Sequence, residues 1–241
     1  MKIAIGTRFY EEDRERLTQL ETFVKKAAEL VDEVFVVINV VKDKTKAFFY
    51  LKKLKIPKLH LLGMNAWGKF TPALNAIVYH TSKEGFTHLL LCSPEVHISS
   101  SLISELASYV DDSTLVAGAA MAGHEFSEGE VAGNGANVPW NTLAVWNLKY
   151  LSRIGFVMSA DAPFDEASAG VEELSTCAVL QKLYPQLKVK LVKLGDVKWD
   201  VGSLDEERIA AHIKKIDSKK ERAQKQMDNL QLPPPKILHI S

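Results

Sequence analysis

An apolar run, Leu89-Leu90-Leu91-Cys92, ends abruptly in Ser93-Pro94-Glu95-Val96-His97. Carboxylates and imidazoles hold cations or move protons, so Glu95 with His97 two residues on places such chemistry directly after a buried segment. Arg8 stands in a similar position: with Thr7 it follows the apolar start Ile3-Ala4-Ile5-Gly6 and offers a guanidinium to a phosphate or a nucleobase. Each group also has a plainer explanation. Glu95 fits the solvated carboxylate of a strand-to-helix turn, and an arginine at a strand end is commonly a surface charge.

The elements that must position these groups are legible in the hydrophobic pattern. After the first apolar segment comes a stripe at Leu17, Leu20, Phe23, Val24, Ala27 and Leu30, spaced by threes and fours as a helix face requires. VFVVINVV is then apolar on consecutive residues, the pattern of a strand covered on both faces. The alternation continues with a basic helix over about 43–53, the strand LHLL, a helix near 71–82 and the strand THLLLC. A helix opened by Ser99 to Ser101 and the strand TLVAGAA complete it. This βαβαβαβ order predicts an α/β fold: a doubly wound, mostly parallel sheet with helices on both faces. The ligand crevice of such a sheet lies beyond the carboxyl ends of its strands, where Ser93 to His97 are expected.

After residue 120 the texture changes to MAGHEFSEGEVAGNGANVP, too long and polar for core and therefore a lid or substrate loop. The strand NTLAVWN, a helix through 148–154, an acidic helix over about 170–184 and the strand VKLVKL come next. From 204 to 230 a charged helical stretch has its apolar residues early, at Ile209, Ile213 and Ile216, so its latter half is expected to face solvent or a partner. The expected organisation is a first half over 1–120, a second half of the same domain over 121–202, and a charged C-terminal helix and tail over 203–241.

Composition removes several classes of function. A chain of 241 residues that is 46% hydrophobic buries a sizeable core as one large or two small domains. Thirty basic and thirty acidic side chains cancel, so net charge favours neither a nucleic-acid nor a membrane partner. Cys92 and Cys177, both in apolar patterns, read as small core residues of a reducing compartment. The seven histidines lack the spacing of a zinc site. The first apolar stretch is too short for a signal peptide, and no segment reaches the roughly eighteen apolar residues of a membrane span. A cytoplasmic location is expected.

Four stretches add to the strand-end groups. They are Ile38-Asn39 with Asp43-Lys44-Thr45; Gly68-Lys69 with Ala73-Leu74-Asn75-Ala76; Ser93-Pro94-Glu95-Val96; and PWNTLAVWNLKYLSRIGF before FDEASAGVEELSTCAVL. Together, over about residues 2 to 185, they resemble the GT-A-fold glycosyltransferases, particularly the large family-two type that uses nucleotide-sugar donors. That family ends its second strand in paired aspartates and a later Asp-Gly-Thr, of which about half is kept here.

The resemblance implies transfer of a sugar from a nucleotide-sugar donor to an acceptor hydroxyl. Asn39 and Asp43 would hold the nucleoside and Lys69 a phosphate, with Thr7, Arg8, Asn75 and Ser93 completing the nucleotide site. Glu95 stands where the family's Asp-x-Asp holds a divalent metal, Mn or Mg, which bridges two phosphates and neutralises the departing diphosphate. Ser93 replaces one of those aspartates, so the metal is bound more weakly or its charge is supplied by His97, Lys69 or Arg8. A late metal ligand would come from Asp200, His212 or His239.

In Gly170-Val171-Glu172-Glu173 the family's acceptor half supplies the carboxylate that takes the proton of the attacking hydroxyl, Glu173 first and Glu172 second. The helix dipole alone also favours acids there. Asp165, within Phe164-Asp165-Glu166, and Trp140, whose ring face can stack on a sugar, would contact the acceptor, whether glycan, lipid, protein or another molecule. The C-terminal helix is a surface for a homo-oligomer. Two rivals stay open. Gly6-Thr7-Arg8 also matches the end of the nucleotide loop of sugar-phosphate nucleotidyltransferases, and the missing aspartates suit a non-catalytic nucleotide- or partner-binding protein.

Overall fold

The computed structural model describes residues 1–10, 14–41, 45–162, 165–195, 197–200 and 218–241. Asp43, Phe164, Ile209, His212, Ile213 and Ile216 lie outside the described residues.

The first half alternates as its pattern predicts: β1 (Ile3–Phe9), α1 (Arg14–Leu30), β2 (Glu33–Asn39), α2 (Lys46–Leu54), β3 (Leu59–Met64), α3 (Thr71–Lys83), β4 (His88–Cys92), α4 (Ser100–Ser108) and β5 (Thr114–Ala119). The stripe on α1 buries Leu20, Phe23, Val24 and Ala27 against the sheet. Ser99 caps α4 by accepting the Leu102 N–H at 3.1 Å. Both cysteines are buried free thiols, as their apolar surroundings predict.

The second half adds β6 (Gly129–Ala132), β7 (Leu143–Asn147), α5 (Leu148–Leu151), α6 (Glu172–Leu183), β8 (Lys188–Val192), α7 (Lys219–Leu230) and β9 (Lys236–Ile240). Among the described residues nine strands form one sheet in the order β3-β2-β1-β4-β7-β5-β8-β9-β6. Five of its eight pairings are parallel; β7 runs antiparallel between β4 and β5, and β6 runs antiparallel to β9. The sheet is therefore α/β and mostly parallel, as expected. β1 pairs with β2 on one side and β4 on the other, so the strand order reverses there and the carboxyl ends of β1 and β4 border a crevice.

Two expectations change. The polar loop after residue 120 contains β6, whose alternating half-buried and exposed residues suit an edge strand. The C-terminal helix is not a solvated appendage: α7 buries Ala223, Gln226 and Met227. Gln226 is fully buried, and its amide donates to the carbonyls of Ser159 at 3.0 Å and Ser168 at 2.8 Å. A buried glutamine satisfied by backbone thins the apolar stripe of Ala223, Met227 and Leu230, so the sequence pattern reads as solvated. β9 then joins the sheet beside β8, burying Ile237.

Candidate active site

A cleft of about 870 Å³ opens beyond the ends of β1 and β4. β1 delivers Thr7 and Arg8, and β4 delivers Ser93 and Glu95. The segment before α3 delivers Lys69, the start of α6 Glu172 and Glu173, and α7 Lys219 and Arg222.

Arg8 ties three of these elements together. Its guanidinium donates to the Phe70 carbonyl at 2.9 Å, lies 3.4 Å from a Glu172 oxygen, and sits 5.4 Å from the centre of the Phe70 ring. The Phe70 turn is itself held from the other half of the chain. Asp161 accepts the backbone N–H groups of Lys69 at 2.8 Å, Phe70 at 2.9 Å and Thr71 at 2.7 Å, and the Thr71 hydroxyl at 2.9 Å. Burial pushes the Asp161 carboxyl up, but these donors together outweigh it and hold it below its ordinary value.

The chain enters α6 through two residues in the left-handed region, Gly170 at φ 102° and Val171 at φ 54°. A β-branched residue is costly there, and such strain persists where surrounding packing imposes it, commonly at functional sites. This entry presents Glu172 and Glu173, both buried against the cleft. Asn141 orients them: its backbone N–H donates to Glu173 at 2.8 Å, its side-chain amide lies 3.4 Å from Glu172, and its side-chain oxygen accepts the Trp146 indole N–H at 2.9 Å. Burial, and then the neighbouring Glu172 charge, push the Glu173 carboxyl up to about 7, against the pull of Lys219 and the Asn141 N–H. One carboxyl of the pair thus faces Arg8 while the other is poised to exchange a proton near neutrality.

Glu95 is also engaged. Its two oxygens are taken by the Arg16 guanidinium from α1 and by the Ser93 hydroxyl. The turn beneath is fixed by residues 197–200: the Asp200 N–H donates to the Glu95 carbonyl at 2.9 Å, and the His97 N–H to the Lys198 carbonyl at 3.0 Å. A divalent cation needs several oxygen ligands. Among the described residues no group of three or more His, Cys, Asp or Glu is arranged to hold one, and the one carboxylate at the end of β4 already pairs with a guanidinium. These residues do not fit a resident Mn or Mg ion.

The cleft therefore gathers Thr7, Arg8, Lys69, Ser93, Glu95, Trp140, Glu172 and Glu173 from the residues singled out in the sequence. It does not gather Asn39, Asn75 or Asp165. Asn39 is buried at the end of β2 with its side-chain oxygen on the Val41 N–H at 3.0 Å. Asn75 is occupied on both sides of its amide by the backbone of Phe156, at 2.9 and 2.6 Å. Asp165 is exposed and caps the Ala167 N–H at 3.1 Å.

Trp140 lines the cleft as packed wall: it is 2% exposed, the His124 ring stacks on it at 3.7 Å, and the Lys219 ammonium sits 3.3 Å from its ring centre. Its face is not presented for stacking. His97 is exposed outside the cleft. His239 is buried between the Ser127 N–H and the Asn137 carbonyl, at 3.0 and 3.1 Å. Sequence reasoning missed Arg16, Asn141, Asp161, Lys219 and Arg222. Arg16 lies in the charged run EEDRER, where nothing distinguishes it, and the others meet their partners across the fold.

The fold is that of GT-A-type nucleotide-diphospho-sugar transferases. A mannosyltransferase from Pyrobaculum calidifontis, solved with GDP-mannose and Mn2+, superposes with a TM-score of 0.62 at 12% identity, covering 89% of this chain and 60% of its own. Glucosyl-3-phosphoglycerate synthase from Mycobacterium tuberculosis, solved with Mn2+, UDP and phosphoglyceric acid, gives 0.53 at 11%, covering 92% of this chain and 78% of its own. The 4-diphosphocytidyl-2C-methyl-D-erythritol synthase of Anaerococcus prevotii gives 0.51 at 11%, covering 88% and 96%. The chain thus spans three fifths of the length of the mannosyltransferase. No family model matches the sequence, and no curated protein does. Among the described residues no helix is long and apolar enough to cross a membrane.

Proposed function

We propose that the protein is a glycosyltransferase that moves a sugar from a nucleotide-sugar donor to an acceptor hydroxyl. The observation that carries this reading is the buried Glu172–Glu173 pair at the start of α6, facing the end of β1 across a cleft of about 870 Å³ in a GT-A-type fold. The donor diphosphate lies toward Arg8 and Lys69, and the exposed Tyr10, 5.6 Å from Trp67 at the cleft edge, gives an aromatic surface for the base. Glu173 takes the proton from the acceptor hydroxyl as its oxygen attacks the anomeric carbon. The carbon–oxygen bond to the diphosphate breaks, and the leaving group departs with the electron pair.

The test is donor hydrolysis. Incubated with UDP-, GDP-, CDP- and dTDP-sugars, the protein slowly releases one nucleoside diphosphate without acceptor. Release of pyrophosphate from a nucleoside triphosphate instead marks a nucleotidyltransferase, and no release from either marks a binding protein.

The acid pair also sets a pH profile. As a base, Glu173 works deprotonated, so turnover rises with pH through about 7. Glu172→Gln removes a charge that raises Glu173, so the rising limb moves to lower pH; an unmoved limb assigns it to another group.

A further inference from the structure

We propose that this cleft binds the donor diphosphate without a divalent metal, the Arg16 guanidinium standing in the metal's place over Glu95. The inference rests on the nucleotide-sugar reading above and specifies how that site meets the diphosphate charge. In the family resembled, a strand-end carboxylate would hold a metal, which would supply positive charge to the diphosphate. Here both oxygens of that carboxylate are already engaged, one by Arg16 and one by the Ser93 hydroxyl.

The Arg16–Glu95 pair is largely shielded, at 19% and 18% side-chain exposure, so it is not a loose surface contact. Manganese would have to displace a guanidinium from a shielded carboxylate and would gain a neutral hydroxyl as its next ligand, where hard cations prefer charged oxygens. The surrounding charge suits a polyanion without help. Arg8, Arg16, Lys69, Lys219 and Arg222 line the cleft against Glu95, Glu172 and Glu173. A guanidinium has five donors in a planar fork, so Arg16, which holds Glu95 and also donates to the Gln19 side chain at 3.3 Å, is placed to turn a donor toward a phosphate oxygen as well.

The experiment is calorimetric titration of the full chain with UDP, GDP, CDP and dTDP, in excess EDTA and in excess Mn2+. The expected result is that one diphosphate binds with affinities agreeing within about twofold in the two conditions. Binding only in Mn2+ overturns the inference and leaves the transferase reading standing. Binding of none in either condition overturns the transferase reading and this inference with it. Arg16→Ala is expected to lower affinity in EDTA roughly tenfold or more, the scale of a charged hydrogen bond. Unchanged affinity of this variant in EDTA, with its fold verified by circular dichroism, contradicts the role of Arg16.

Discussion

Glu173→Gln lowers turnover about a hundredfold or more, the scale of a lost general base, and leaves affinity for the nucleoside diphosphate nearly unchanged. The substitution keeps the shape of the side chain and its acceptor oxygen for the Asn141 N–H at 2.8 Å, so packing around α6 is preserved. The group that disappears is one that binds a proton near neutrality. A second readout separates this from a general loss of structure. Because burial and the Glu172 charge raise the Glu173 carboxyl above its unfolded value, its contribution to stability is fully present below the unfolded range and lost as pH rises through about 7. The glutamine variant therefore unfolds at a higher temperature than wild type at pH 8, with no such gain at pH 5. Unchanged turnover removes Glu173 from the mechanism.

Asp161→Ala costs about 3 kcal/mol of stability and weakens nucleotide binding, because it leaves the donors of the Lys69–Thr71 turn without their common acceptor. That turn carries the Phe70 carbonyl which fixes Arg8 at 2.9 Å, so Arg8 and Lys69, the cations proposed to meet the phosphates, lose their support together. The Asp161 carboxyl lies below its ordinary value in the folded protein. Its contribution is therefore present above the unfolded value of about 3.9 and lost as pH falls through the folded one. Urea unfolding at pH 7 and at pH 3 checks this: the gap between variant and wild type narrows at low pH, and a gap independent of pH denies the carboxylate its role.

The strands and helices of the first half were legible because their information is local. Consecutive β-branched residues mark VFVVINVV as a doubly covered strand, and the stripe from Leu20 to Ala27 marks α1. Ser93, Glu95 and Arg8 were legible because strand ends in such a sheet point toward one crevice, whereas Lys69, in the segment before α3, was singled out only by the family resemblance. The residues that stayed hidden depend on partners far along the chain. Asp161 meets Lys69 from 92 residues away, and Arg16 meets Glu95 from 79. Asn75 illustrates the opposite error. Its place in Ala-Leu-Asn suggested a ligand contact, while the structure spends its amide on the backbone of Phe156. α7 was misjudged because its apolar stripe is short, Ala223, Met227 and Leu230, and is interrupted by the buried Gln226 and by Lys219 and Arg222, which face the cleft.

Whether a nucleoside diphosphate occupies the cleft beside Arg8 is decided by a thermal-shift measurement of wild type and Arg8→Ala with UDP, GDP, CDP and dTDP. One diphosphate is expected to raise the melting temperature of wild type, and the shift is expected to be lost in the variant. No shift with any of the four, or a shift that survives loss of Arg8, contradicts that occupancy.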